Sequence, residues 1–383
     1  MKNLVHQPDY GLIISFFLIL IFGLVMLSSA TSVLGYDKFQ DSYWYFKHQL
    51  LNGFLPGLVL FFLFSRIDYR KWKNFSGLFF IFSIVFLIAV FIPGLGASYG
   101  KARSWINIFG YSLQPSELVK FTFLIFLSAW LDKNRDNITS ATKGLLPFLF
   151  YLGLVSGLII AQPDTGTMFI ILIISLIVYY LAGARIKHLI LVLIAGIGGL
   201  AGLVAVASYR MQRIAAFFDS NIDPQGIGYH IKQALVAVGS GGWFGLGLGH
   251  SRQKFQYLPE VAGDSIFAIM AEELGFVAMV LVLVLFLFLF YRIIKISLSA
   301  PDIFGKLLGA GVGVWIISQF FVNIGAMIKL LPLTGLPLPL VSYGGTAMAA
   351  LMAAIGLVVN ISRYNNVNAS RRFRNIIHRK VKI

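Results

Sequence analysis

The sequence of 383 residues predicts an all-α polytopic membrane protein of ten transmembrane helices, with both termini in the cytoplasm and a large extracytoplasmic loop between helices 7 and 8. Three observations carry that prediction. Hydrophobic residues make up 58% of the chain and charged residues only 12%, against roughly 25% charged in ordinary soluble domains. Apolar runs approaching the length of a bilayer core, about 20 residues, recur along the chain. Of 31 Lys and Arg, 20 fall in segments that ten spans would leave on one face, the bias expected of the cytoplasmic side. The net charge of +16 is therefore read as topology and affinity for anionic lipid rather than for nucleic acid. With no cysteine in the chain, disulfides, Fe–S clusters and thiolate zinc sites are excluded.

In order, the spans are expected near 11–30, 48–64, 75–93, 117–131, 144–161, 167–182, 187–207, 265–290, 304–327 and 343–362. The first exceeds a signal-peptide core and is read as an uncleaved span. The fourth and sixth are short. Together, residues 1–362 form a single ten-helix domain, with 208–264 as its large outer loop, and 363–383 a basic cytoplasmic tail. That tail, ending RRFRNIIHRKVKI, reads as a topology-setting end, with an amphipathic lipid- or partner-binding helix as the other possibility.

Polar and Gly/Pro-rich residues gather on the outer side, in 94–116, 162–166, 208–264 and 328–342. Irregular backbone at membrane depth is tolerated only where protein buries it or a wet cavity receives it, so these loops are expected to fold inward together. Glu117 and Lys120, spaced i, i+3 at the start of the fourth span, share one helical face. They read equally as a helix-start ion pair and as cavity-lining charges. With Lys101 and Arg103, Lys120 offers cations suited to a phosphate or pyrophosphate group. Asp164 in QPDTG reads as a helix cap. The glycines of GSGGWFGLGLG suit a tight re-entrant turn and lack the Lys-Ser/Thr ending of a phosphate loop.

The histidines have no metal-ligand spacing, and Ser342 in VSYGG has no sequence-level partner as a serine nucleophile. In YLPEVAGDSIFAIMAEELG, Asp264 or Ser265 reads first as the cap of the eighth helix. Asp264 also reads as a carboxylate at a wet rim, able to accept a proton. Glu272 and Glu273 lie deeper and are expected to lock the bundle.

Taken in order, RSWINIFGYSLQPSELVKF, QPDTGT, GYHIKQALVAVGSGGWFGLGLG, RQKFQYLPEVAGDSIFAIMAEELG and NIGAMIKLLPLTGLPLPLVSYGGT resemble the SEDS family of ten-helix peptidoglycan polymerases, which includes FtsW, RodA and SpoVE. The resemblance covers nearly the whole chain. It implies a glycosyltransferase of the bacterial cytoplasmic membrane that polymerises lipid II on the outer face, working with a class B penicillin-binding protein and other divisome or elongasome proteins. Asp264 occupies the position of the essential acid, the implied general base. Glu117 and Lys120 are the implied lining of the substrate cavity, and Arg103, Gln114, Glu260 and Ser342 are further candidate substrate contacts. Either cationic side chains or a divalent cation, Mg or Mn, would stabilise the leaving pyrophosphate. Where family members commonly carry His-Thr before that acid, this chain has Ala262 and Gly263. GWFGLGLGHSRQKFQYLPE and VVNISR lean toward the division-type FtsW and SpoVE branch, PLPLVSYGGT toward RodA, and the former is favoured. A lipid II flippase and a non-catalytic scaffold are the rival readings.

Overall fold

The computed structural model describes residues 7–99, 102–108, 111–206 and 208–364. The tail beyond 364 and Lys101 lie outside the described residues. The helices are α1 (Tyr10–Phe39), α2 (Trp44–Arg66), α3 (Tyr69–Asn74), α4 (Ser76–Ala89), α5 (Pro115–Lys133), α6 (Ala141–Ala161) and α7 (Thr165–Leu181). They continue with α8 (Ile186–Val206), α9 (Ser208–Phe218), α10 (Ile227–Ser240), α11 (Ile266–Leu298), α12 (Ile303–Met327) and α13 (Gly345–Ser362). Each predicted apolar run overlies a helix: α1, α2, α4 to α8, and α11 to α13. Among the described residues six of them, α1, α2, α6, α11, α12 and α13, are long and apolar enough to cross a membrane.

Helix starts follow capping chemistry. Asp9 accepts from Leu12 N at 2.9 Å, Asp164 from Thr167 N at 3.0 Å and Asp302 from Gly305 N at 2.8 Å, each satisfying a donor that the first turn leaves unpaired. Helices α12 and α13 form the centre, with 78% and 83% of their apolar windows buried, whereas α11 buries 28% and turns Leu281, Val284 and Phe288 outward. Small residues let the central helices approach closely. A Cβ at Gly356 of α13 would stand 2.5 Å from the Phe61 carbonyl of α2. At one end of the bundle Asn360 accepts from Tyr69 N at 2.8 Å and donates to Ser65 O at 2.9 Å. The pairs Arg292–Asp9, Arg70–Asp302 and Lys73–Asp132 gather at that end too, at 2.5, 2.9 and 2.5 Å.

The structure departs from the expected all-α fold between α4 and α5. Here β1 (Gly96–Tyr99), β2 (Ala102–Ile108) and β3 (Tyr111–Leu113) form an antiparallel sheet in that order, with Ile106 opposite Leu113 and Asn107 opposite Ser112. The signal was present. Ser104 and Ile106 are buried while Asn107 is exposed, the period-two alternation of a half-buried strand. Ser104 Oγ donates to the Gln162 carbonyl at 3.0 Å, tying the sheet to the turn between α6 and α7.

The segment 208–264 also differs from a plain loop, because it opens with α9 and α10 before a run of turns. Those turns repair a broken helix. Gly275 of α11 has φ 76° and ψ 178°, leaving neighbouring backbone groups without helical partners. Phe276 N and Val277 N donate instead to Gly242 O and Trp243 O at 2.9 and 3.1 Å, and Leu246 N and Gly247 N donate to Glu272 O and Glu273 O at 3.0 and 2.9 Å. Only glycine fits the break: a Cβ at Gly275 would lie 2.3 Å from Gly245 N. The predicted span 265–290 is therefore two pieces, a short helix ending at the break and a longer one beyond it.

Candidate active site

The turn that carries Asp264 is held by its backbone. Glu260, with φ 53°, accepts from Gly263 N at 2.9 Å and Ser265 N at 3.2 Å, which closes a tight loop ahead of α11. Ser342 Oγ donates to Gly263 O at 2.7 Å and accepts from Leu338 N at 2.8 Å. Tyr343 N donates to Ala262 O at 2.8 Å. Asn323 of α12 donates to both Asp264 O and Leu336 O at 2.8 Å. The VSYGG stretch thus grips main chain at positions 262 and 263, so the side chains that replace His-Thr there have no part in the grip. Ser342 spends its hydroxyl on this role.

The side chain of Asp264 is half-buried and poorly supplied with donors. Ser265 Oγ lies 3.5 Å from its Oδ1. Burial pushes the carboxyl up to about 6, against the opposing field of Arg213 and its few hydrogen bonds. Glu260 is pushed up as well, by partial burial and then by Asp264. Neither Asp264 nor Ser265 caps α11 through its side chain as one reading of the sequence expected: Ser265 is the N-cap residue, and its hydroxyl turns to His230 Nε2 at 2.6 Å.

Deeper on α11 the environment reverses. Glu272 accepts from Arg252 N at 3.1 Å, Gln253 N at 3.2 Å, Ser240 Oγ at 3.4 Å and the Ser251 hydroxyl. Glu273 accepts from Ser29 Oγ at 2.6 Å and Lys254 Nζ at 3.0 Å. These acids clamp the 241–257 turns onto α11, the locking role expected of them.

Glu117 and Lys120 form an ion pair at 2.7 Å, with side chains 1% and 0% exposed. Lys120 also donates to Gln319 Oε1 at 2.9 Å and lies 5.1 Å over the Trp315 ring. Glu117 Oε2 is buried without a hydrogen-bond partner. Gln319 Nε2 continues to Pro337 O at 2.9 Å, one residue from the Leu336 carbonyl that Asn323 holds together with Asp264. A chain of side chains and main-chain groups therefore runs from Lys120 to the backbone of the acid loop. Gln114 precedes Pro115 at the head of α5, its N–H donating to Thr346 Oγ1 at 3.2 Å. Arg103 lies on β2.

Sequence reading passed over Arg213, His230, Gln319 and Asn323. Arg213 sits on α9 and donates to Leu333 O and Thr334 O at 3.3 and 3.4 Å. Its charge reaches Asp264. Gln319 and Asn323, four residues apart in an apolar span, were the detectable signal, since polar groups inside spans demand partners.

An open groove of about 420 Å³ lies nearby, between the end of α1 and the 251–257 turns, lined by Tyr36, Asp37, Ser42, Phe255 and Gln256 among others. None of its lining residues is a predicted site residue.

Comparison with known proteins bears on the same framework. A family model described as cell cycle protein, FtsW/RodA/SpoVE, matches residues 10–367. The Stage V sporulation protein E of Bacillus subtilis (strain 168) is 41% identical over 359 residues, covering 94% of this chain and 98% of that protein. A probable peptidoglycan glycosyltransferase FtsW of Trichlorobacter lovleyi is 36% identical, covering 94% of this chain and 96% of the relative. Among solved structures, a chain of a peptidoglycan synthase complex that coordinates polymerization and crosslinking superposes with a TM-score of 0.79 at 26% identity, covering 94% of this chain and 99% of that one. The protein is a multi-pass protein of the bacterial inner membrane. With a family model spanning residues 10–367 and relatives matched along almost their entire length, the chain belongs to the FtsW/RodA/SpoVE family, as its ordered motifs predicted.

Proposed function

We propose that this protein is an inverting peptidoglycan glycosyltransferase that polymerises lipid II into glycan strands on the outer face of the membrane, with Asp264 as general base. The observation that carries the assignment is the setting of Asp264: a carboxyl with a raised pKa and one weak side-chain donor, on a turn whose backbone is fixed from three directions. The names of the FtsW relatives support the reaction class.

The acceptor sugar's 4-hydroxyl attacks C1 of the donor MurNAc. As the new C1–O bond forms, the bond from C1 to the pyrophosphate oxygen breaks, C1 inverts and undecaprenyl pyrophosphate departs with the electron pair. The hydroxyl proton passes to the Asp264 carboxylate, a contribution of about 10² to 10⁴ in rate. Arg103 is a proposed cation for the departing charge. Arg213 takes the place of Lys120, which the sequence suggested for that role but which is fully buried in its pair with Glu117. The buried Glu117–Lys120 pair underlies the substrate cavity, with Gln114, Glu260 and Ser342 shaping its mouth. Among the described residues no three His, Asp or Glu converge as a metal cage.

Ten spans, with both termini inside and 208–264 outside as one part of a single domain, complete the proposal. The ion pairs of Asp9, Arg70, Lys73 and Arg292 at one bundle end, beside most of the basic loops, support it. A class B penicillin-binding protein of a divisome or elongasome is the proposed partner, in keeping with the synthase complex that the fold matches. The division-type branch is preferred, supported by the SpoVE and FtsW relatives.

The test is reconstitution of the purified protein with that partner and lipid II, comparing wild type with Asp264→Asn. Glycan strands from wild type alone are the expected result. Equal polymer from both sinks the base assignment, and transbilayer movement of lipid II without polymer replaces it with a flippase.

A further inference from the structure

His230 approaches the acid turn from a separate helix. Asp223 fixes the start of α10 by accepting from Gly226 N at 3.0 Å and Ile227 N at 2.8 Å, and Ile231, Ala234 and Ala237 bury the helix against its neighbours. The imidazole is thereby delivered to Ser265, whose side chain is fully buried, with Nε2 2.6 Å from Oγ. Ser265 Oγ in turn lies 3.5 Å from Asp264 Oδ1.

A neutral imidazole has one donor and one acceptor nitrogen, and a serine hydroxyl has a single proton. If Nε2 accepts, that proton is spent on His230 and Asp264 receives nothing from Ser265. With Nε2–H donating, the hydroxyl proton is free to point at Oδ1. We infer that His230 is a positioning residue for the proposed base: its Nε2–H donates to Ser265 Oγ, whose O–H donates to Asp264 Oδ1 and fixes the carboxylate's orientation.

The inference rests on Asp264 being the base and adds a role for residues on two other positions of the fold. Burial pushes His230 down to about 4, with Glu260 opposing and Arg213 assisting. Above that pH the ring is neutral, so its tautomer, not its charge, directs the serine proton. Glu260, Arg213 and Asp264 are the charged groups whose fields bear on this arrangement.

The experiment measures lipid II polymerisation by the reconstituted protein with its partner for Ser265→Ala, Ser265→Thr, His230→Ala, His230→Gln, the double alanine variant and Asp264→Asn. Loss of positioning is expected to lower kcat about 10- to 100-fold, with KM within about twofold, because the lost contact acts on the transition state. Ser265→Thr keeps the hydroxyl and His230→Gln keeps a side-chain N–H donor, so each is expected to recover most of the loss. The double alanine variant is expected to be no worse than either single one. Single losses that multiply, a change in KM in place of kcat, or a glutamine no better than alanine would each overturn the inference. If His230→Ala fails to fold, His230→Gln decides beside the Ser265 pair: a rate near wild type supports the inference, and one as low as that of Ser265→Ala overturns it. An inactive Asp264→Asn beside fully active Ser265→Ala and His230→Ala defeats the positioning role only. A fully active Asp264→Asn defeats the catalytic reading and this one with it.

Discussion

Within YLPEVAGDSIFAIMAEELG, the acids at its two ends meet opposite fates. Glu272 and Glu273 are buried and saturated, drawing donors from Ser29, Ser240, Ser251, Arg252, Gln253 and Lys254. Asp264, half-exposed at the mouth of the same helix, has a single weak side-chain donor. The difference teaches how to tell a structural carboxylate from a reactive one. A carboxylate that has collected a full set of hydrogen bonds serves as a structural tether, whereas one short of donors in a desolvated setting, as Asp264 is, has its pKa raised and is free to take a proton.

Two substitutions should break this contrast in opposite ways. Asp264→Asn is expected to reduce polymerisation by about 10² to 10⁴ while leaving the melting temperature in detergent unchanged, as read by intrinsic fluorescence. Lys254→Ala strands the Glu273 carboxylate, since Lys254 is only 3% exposed and spans Glu273 and the Gly249 carbonyl. Breaking a buried pair by removing one partner costs about 3 to 5 kcal/mol, so the melting temperature should fall sharply. Adding Glu273→Gln should restore much of it. A Lys254→Ala protein that melts like wild type would refute the clamp.

The acid turn offers an intermediate test. Ser342→Ala leaves Gly263 O and Leu338 N without their shared partner, at a cost of about 1 to 3 kcal/mol for groups in a buried site. Activity should decline together with stability, because the turn that presents Asp264 loosens. Unchanged melting with lost activity would instead assign Ser342 a direct substrate contact.

pH tests the Asp264 setting without mutation. The pKa of Asp264 is raised to about 6, so the base form is lost as pH falls through that value. The value of kcat/KM should be flat above pH 7 and drop about tenfold per unit below 6. His230 stays neutral across this range, its pKa having been lowered to about 4. An acid limb near pH 4, the ordinary aspartate range, would show that the Asp264 carboxyl is not raised by its setting.

Much of this was legible in the residues. Apolar runs located the helices, because each segment must satisfy its own backbone in lipid. Asp164 as a cap and the glycines of GSGGWFGLGLG as a turn with positive φ follow from local chemistry, visible at Gly242, Gly245, Gly247 and Gly249. The small sheet was hard to read because the alternation of Ser104, Trp105, Ile106 and Asn107 spans only a few residues and sits beside the charges of Lys101 and Arg103. Burial of Glu117 and Lys120 was not legible either. Their i, i+3 spacing fixes a shared face, but only tertiary packing brings Gln319 and Trp315 to it. The same holds for Arg213 and His230, whose helices look like loop in an outer segment. Long-range juxtaposition leaves no periodic trace.

The smallest expected effect falls on the residue that departs from the family pattern. Gly263 does not adopt a left-handed φ, and a Cβ there would meet Glu260 Oε2 at 3.5 Å and Glu260 O at 3.6 Å, ordinary van der Waals distances. Its carbonyl, which Ser342 holds at 2.7 Å, is unaffected by a side chain. Gly263→Ala should therefore be neutral or stabilise by up to about 1 kcal/mol, by restricting the unfolded chain, with polymerisation within twofold of wild type. Melting and rate measured on one preparation decide it. If alanine instead removes activity with the fold intact, the turn needs an unoccupied face at position 263. Backbone grip would then be insufficient to present Asp264, and the distinction between starved and saturated acids would have to include open space beside the reactive one.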